Sequence, residues 1–156
     1  MPNTKAVGVA YADPEFESVT VSGAVTVSGA VTVSGAVTAA SVAASSELGY
    51  TATAQGTVTQ LTDKSTAVTL NKSAGQIVMN AATLNTLTNV TFTLNNSLIS
   101  AKDVTILNVA AGATAGAYNC WISSKATGSC TITVRNISAG NLSEAITINF
   151  AIIHCA

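Results

Sequence analysis

Residues 19–38 spell VTVSGA three times and begin a fourth copy with Val37-Thr38. Six is an even number, so in extended backbone the repeat never changes face. Val19, Val21, Val25, Val27, Val31, Val33 and Val37 then share one side with Gly23, Gly29 and Gly35, and Thr, Ser and Ala take the other. Such a segment cannot hold itself. Burying its valines contributes roughly 10–20 kcal/mol in all, at about 1.5–3 kcal/mol each. Fixing some twenty residues of backbone costs as much or more, at about 1–2 kcal/mol apiece. A lone strand also leaves its own N–H and C=O groups unpaired. The expectation is therefore intertwining with copies of the same chain: a homotrimeric β-prism or triple-stranded β-fibre, with these valines as the trimer interface and Gly-Ala at each bend. The competing reading is a flexible linker. It explains the Ser, Gly and Ala but not the regular valines.

The rest of the composition points the same way. At 156 residues the chain suits one compact domain plus an extension. Only 8% of residues are charged and the formal net charge is -1, so there is no basic field to collect phosphate backbones and nucleic acid is not an expected partner. Val, Ile and Thr fit a pleated surface and lose rotamer freedom in a helix, which predicts an all-β protein. Despite a mean hydropathy of +0.47, no run approaches the roughly 18 apolar residues of a transmembrane helix. No membrane partner is expected. The opening Lys5 to Ala12 imitates a secretion signal but is short and broken by Gly8. Three cysteines, an odd number, favour reduced thiols in a cytoplasmic assembly compartment.

Beyond the repeat, residues 39–54 read AASVAASSELGYTATA, small and polar. This sets out an arm over 1–18, a repeat stalk over 19–44, a hinge over 45–54 with a short helical turn near Ala43, and a knob over 55–156. In the knob, β-formers alternate with turn residues at intervals of about ten, the pattern of an antiparallel β-sandwich or jelly roll. Strands are predicted near 56–61, 66–70, 75–80, 90–95, 103–109, 117–122, 129–137 and 145–153, with 80–89 as a loop. Parity sends Val90, Phe92, Leu94, Tyr118, Cys120, Ile122, Cys130, Ile132, Val134, Ile146, Ile148, Phe150 and Ile152 inward.

The opening KAVGVAYADPEFESVTVSG, the segment GTVTQLTDKSTAVTLNKSAGQI and the close AGNLSEAITINFAII resemble small virion proteins of tailed bacteriophages, known as capsid decoration, cement or head-fibre proteins. The likeness spans nearly the whole chain and is loosest in the repeat. It implies a homotrimer on the capsid surface, assembled in the bacterial cytoplasm, held to the major capsid protein by its N-terminus and carrying the β domains outward as a knob. Related β domains also occur on tail fibres, so the alternative is a receptor-binding module that recognises a host-surface glycan.

The residues of the arm fit that division of labour. Residues 1–18 hold Tyr11, Pro14 and Phe16 among Lys5, Asp13, Glu15 and Glu17, and cannot fold alone. Anchoring aromatics beside a proline-fixed bend suit a segment that orders on a partner. Tyr11, Pro14 and Phe16 are expected to contact the capsid, and Asp13, Glu15 and Glu17 to meet basic groups there. A frayed terminus is the bland alternative.

Candidate chemistry is sparse. His154, the single histidine, falls by parity on the inward face beside Ile152. A serine hydrolase would need Asp63 or Asp103 behind it and an activated serine, yet no G-x-S-x-G elbow is present. Asp63, Asp103 and Glu144, the carboxylates of the knob, are a thin choice for glycoside hydrolysis and better suited to turns or surface ion pairs. Cys120 and Cys130 flank SSKATG and are read as core thiols, with a disulfide as the alternative if the two lie opposite. With His154 and Cys155 they lack zinc spacing. No enzyme activity, cofactor or metal is expected. Trp121, the single tryptophan, is out of phase with Tyr118, Cys120 and Ile122 and so points outward. Burial against a neighbouring subunit is the favoured reading, and a stacking platform for a host glycan the sharper one. Lys102-Asp103 and Arg135 are read as solvated or inter-subunit pairs.

Overall fold

The alternation beyond residue 55 is realised as strands in a computed structural model, which describes residues 19–155. In chain order these are β1 (Gln55–Thr59), β2 (Val68–Thr69), β3 (Ala74–Val78), β4 (Asn89–Asn95), β5 (Val104–Ala111), β6 (Tyr118–Ala126), β7 (Ser129–Asn136) and β8 (Thr147–Ile153). The protein is all-β: among the described residues the only helical element is a 3-10 turn, Ala52–Ala54. No helix there is long and apolar enough to cross a membrane. The expected arm residues Tyr11, Asp13, Pro14, Glu15, Phe16 and Glu17 lie outside the described residues.

The chain divides into two units that meet between Ala43 and Ala44. In the first, the repeat forms no strand within one chain. It bends at Ser22-Gly23, Ser28-Gly29 and Ser34-Gly35, once per repeat. That corrects the expected Gly-Ala bend by one residue. The Ser-Gly step joins little side-chain bulk to glycine's wide backbone freedom, and a Cβ placed on Gly23, Gly29 or Gly35 would meet nothing. The valines fall into two classes. Val19, Val25, Val31 and Val37 are 66–69% exposed, and Val21, Val27 and Val33 are 52–53% exposed. So regular an alternation means that each repeat takes the same conformation.

The second unit is a pair of four-stranded sheets, in the orders β1-β3-β8-β5 and β2-β4-β7-β6. The expected all-antiparallel pairing is corrected here. β1 pairs with β3 in parallel, and so does β2 with β4. The cause is the path of the chain. From β1 to β4 it changes sheet at every connection, so strands sharing a sheet run the same way. The strand on the opposite sheet thus does the work of the crossover helix in a conventional parallel unit. The remaining pairs, β3-β8, β4-β7, β5-β8 and β6-β7, are antiparallel.

Between the sheets lies a core of Phe92, Leu94, Cys130, Ile132, Val134, Ile146, Ile148, Phe150 and Ile152, with Val90, Tyr118, Cys120 and Ile122 packed on it, as parity predicts. Ile77, Met79 and Ile99 are buried with them, and Leu84 comes in from the 80–89 segment through a bridge to Leu142. Gly75 is required where β1 and β3 meet. A Cβ there would stand 2.5 Å from the Gly56 carbonyl oxygen and 2.9 Å from Leu70. The residues read as a hinge belong to this unit, and its helical turn is at 52–54 rather than near Ala43. Tyr50 donates its hydroxyl to the Ile152 carbonyl, and Lys72 Nζ donates to the Thr53 carbonyl at 2.8 Å.

Candidate functional site

Acidic side chains are the first place to look for chemistry in so uncharged a chain, and the three that lie beyond residue 55 are each committed to a turn. Asp63 Oδ1 accepts from Ser65 N at 2.7 Å, Ser65 Oγ at 2.8 Å and Thr66 Oγ1 at 3.1 Å. Glu144 accepts from Thr114 Oγ1 at 2.5 Å and Thr114 N at 3.1 Å. Asp103, buried at the start of β5, accepts from Ser100 N and Ser100 Oγ, both at 2.8 Å, from Cys155 N at 3.1 Å, and faces His154 Nδ1 at 3.0 Å. His154 was expected inward, but β8 ends at Ile153 and parity ends with it. Its side chain is 52% exposed. Asp103 is indeed its partner, yet the nearby hydroxyl, Ser100 Oγ, binds the carboxylate and not the imidazole. Serine and histidine converging on one acid tie down a chain segment; they do not activate a nucleophile.

These bonds hold all three carboxyls below their ordinary range. The leading cause is the Ser100 backbone N–H for Asp103, the Ser65 hydroxyl for Asp63 and the Thr114 hydroxyl for Glu144. A depressed acid contributes stability that is complete above its unfolded pKa, 3.8 for Asp and 4.5 for Glu, and is lost as pH falls toward the folded value. The urea midpoint should therefore hold between pH 7 and about pH 5 and fall steadily below about pH 4. Asp103→Asn should flatten that fall; an unchanged acid limb in the variant would remove Asp103 from the account.

Lys64 is the least expected residue of the domain. Its side chain is buried, and Nζ donates to the Asn80 carbonyl at 2.6 Å and the Glu144 carbonyl at 2.5 Å. Burial pushes the ammonium below its ordinary range, against the attraction of Glu144. Gln60, also buried, donates to the Lys64 and Thr66 carbonyls at 3.1 and 2.9 Å and accepts from Asn80 N. Together the two side chains close the polar backbone of three connections that would otherwise be stranded between sheets.

The cysteines do not meet. Cys120 pairs with Val134 and Cys130 with Lys125 across the β6-β7 ladder, so they sit well apart along the hairpin. The sequence placed a loop at SSKATG, whereas strand continues to Ala126 and the turn is only Thr127-Gly128, with Gly128 at φ +83°. Among the described residues no three of His, Cys, Asp and Glu gather as a metal site. Burial pushes the Cys130 thiol up to about 11 and also raises Cys120, while Cys155 is exposed. A thiol reagent should therefore label Cys155 alone in the native protein and all three cysteines in urea; rapid native labelling at Cys130 would contradict this core.

The two outer sheet faces differ in what their polar groups are doing. On β2-β4-β7-β6, Trp121 stands beside Thr133, 36% exposed, as its parity requires. The hydroxyls around it are spent on one another: Thr91 with Thr133 at 2.9 Å, Thr133 with Ser123 at 2.9 Å, Ser124 with Thr131 at 2.9 Å. On β1-β3-β8-β5, register aligns Thr57, Gln76, Asn149 and Asn108 in one row, and Gln55, Ala74, Ala151 and Ile106 in the next. Both rows line a trough of about 690 Å³. In the sequence the row is marked only by Asn and Gln on outward parity positions, scattered over separate strands.

No family model, curated protein or solved structure matches the chain.

Proposed function

We propose that this is a structural virion protein: a homotrimer that decorates a phage capsid, binds the major capsid protein through its N-terminal arm and reinforces the shell. The observation that carries the reading is the stalk. Seven valines, each more than half exposed and set in identical repeats, present apolar surface that calls for cover. Two further copies of the same repeat supply both the apolar cover and the backbone hydrogen bonds that it lacks. The resemblance of the opening, middle and closing segments to capsid decoration proteins supports the address.

Attachment then works by number. Three arms joined through one stalk make every contact after the first effectively intramolecular, so modest single-arm contacts sum to slow dissociation. Arms that straddle neighbouring shell subunits also brace the shell. Deleting residues 1–18 should abolish binding to particles while leaving the trimer intact, and retained binding would refute the arm. Copy number per particle, by quantitative mass spectrometry against the major shell protein, tests the address. Abundance comparable to the shell protein is expected; a few copies per particle would move the protein to the tail and favour the receptor-binding alternative.

A further inference from the structure

We propose that the trough on the outer face of β1-β3-β8-β5 is a binding site for a neutral oligosaccharide, with Gln76, Asn149 and Asn108 as its hydrogen-bonding row. Three observations carry this. The first is the character of the lining: it holds no Lys, Arg, Asp or Glu, so it has nothing to attract an ion and nothing charged to desolvate. The second is pre-organisation. Gln76 Nε2 donates to Asn149 Oδ1 at 3.1 Å. This ties the two amides together and leaves the Gln76 carbonyl and the Asn149 amino group, on residues that line the trough, without a protein partner among the described residues. Asn108 and Thr57 have no side-chain hydrogen bond to protein among the described residues, so the row offers both donors and acceptors, which sugar hydroxyls can satisfy. The third is relief. Ala74 and Ala151 keep the floor low with side chains of one carbon, and Ile106, 51% exposed on the edge strand, provides an aliphatic shoulder for the C–H face of a sugar ring.

The contrast with the opposite sheet sets the location. Around Trp121 the hydroxyls are already paired with each other, whereas here one bond joins Gln76 to Asn149 and leaves the second polar atom of each amide, and all of the Asn108 amide, without a protein side-chain partner among the described residues. The sugar-stacking role considered for Trp121 thus moves to a site without an aromatic platform, and one site binds weakly, with a Kd on the order of 1 mM. The inference does not depend on capsid attachment.

The test is a titration of the full chain with maltohexaose, laminarihexaose and mannohexaose as neutral probes and an alginate oligomer as the anionic one, followed by nitrogen-15 NMR. At least one neutral probe should shift the side-chain amide signals of Gln76, Asn149 and Asn108. Asn149→Ala and, on the edge strand where folding is safest, Asn108→Ala should each weaken that binding about tenfold, the worth of one or two hydrogen bonds. Trp121→Ala should leave it unchanged. The site is refuted if no neutral probe moves these signals at ~10 mM, if alginate alone binds, if binding follows Trp121 instead, or if the amides exchange too slowly with solvent because another copy of the chain covers them.

Discussion

The triple variant Val21→Ser, Val27→Ser, Val33→Ser should sediment as a monomer at micromolar concentration, whereas the unaltered chain should sediment as the trimer proposed for it. Val21, Val27 and Val33 are the less exposed class of repeat valine, and each carries about 1.5–3 kcal/mol of burial when covered. A trimer repeats every substitution three times, so the loss far exceeds what a micromolar association can absorb. Serine keeps the Ser-Gly bends and the backbone intact, and the β domain, which holds its own core, should melt at an unchanged temperature. If the triple variant remained trimeric, assembly would rest on the β domains and the stalk would be a tether.

The second large effect is expected inside the β domain. Lys64→Ala should lower the unfolding free energy by about 2–4 kcal/mol, since two buried carbonyls lose their donor at roughly 1–3 kcal/mol each, offset in part by no longer burying an ammonium. Lys64→Met keeps the stem and isolates the lost hydrogen bonds, so it should recover part of the loss and no more. The ammonium's depressed pKa has its own signature. Between the folded value and the unfolded 10.5 the unfolded chain binds the extra proton, so the lysine's burial penalty eases as pH rises through that window. Denaturation in urea measures all three; full stability in Lys64→Ala would mean that water can replace the clamp.

Much of this fold is legible in the residues because alternation is a local property. Phe92, Ile132, Ile148 and Phe150 announce their side of a strand whatever pairs with it, and Trp121 announces the opposite side. Pairing is not local. β1 and β3 carry the same pattern whether they run parallel or antiparallel, and only the sheet-to-sheet path between them decides. Two further features were hidden for similar reasons. Nothing beside Lys64 in the sequence marks it for burial, which follows from carbonyls of Asn80 and Glu144 that are distant in sequence. The amide row exists only once register brings Gln76, Asn149 and Asn108 together. His154 misled in the other direction, because parity was carried one residue past the end of its strand. The stalk is the reverse case: its repeat is its plainest sequence feature, yet the partners proposed for it are other chains.

The position of β8 also sets an order of events. Residues 147–153 lie between β3 and β5 in their sheet, and neither of those strands pairs with the other. While the ribosome is still short of residue 147, that sheet is therefore in two pieces with a gap at its middle. Sealing it joins segments far apart in sequence, which is slow chemistry for a chain. The repeat, by contrast, emerges early, with its valines bare. In the trimer proposed above, stalks on neighbouring ribosomes of one message would thus find each other before any β domain has closed, and the assembly would be registered at one end while its three domains are still being completed at the other.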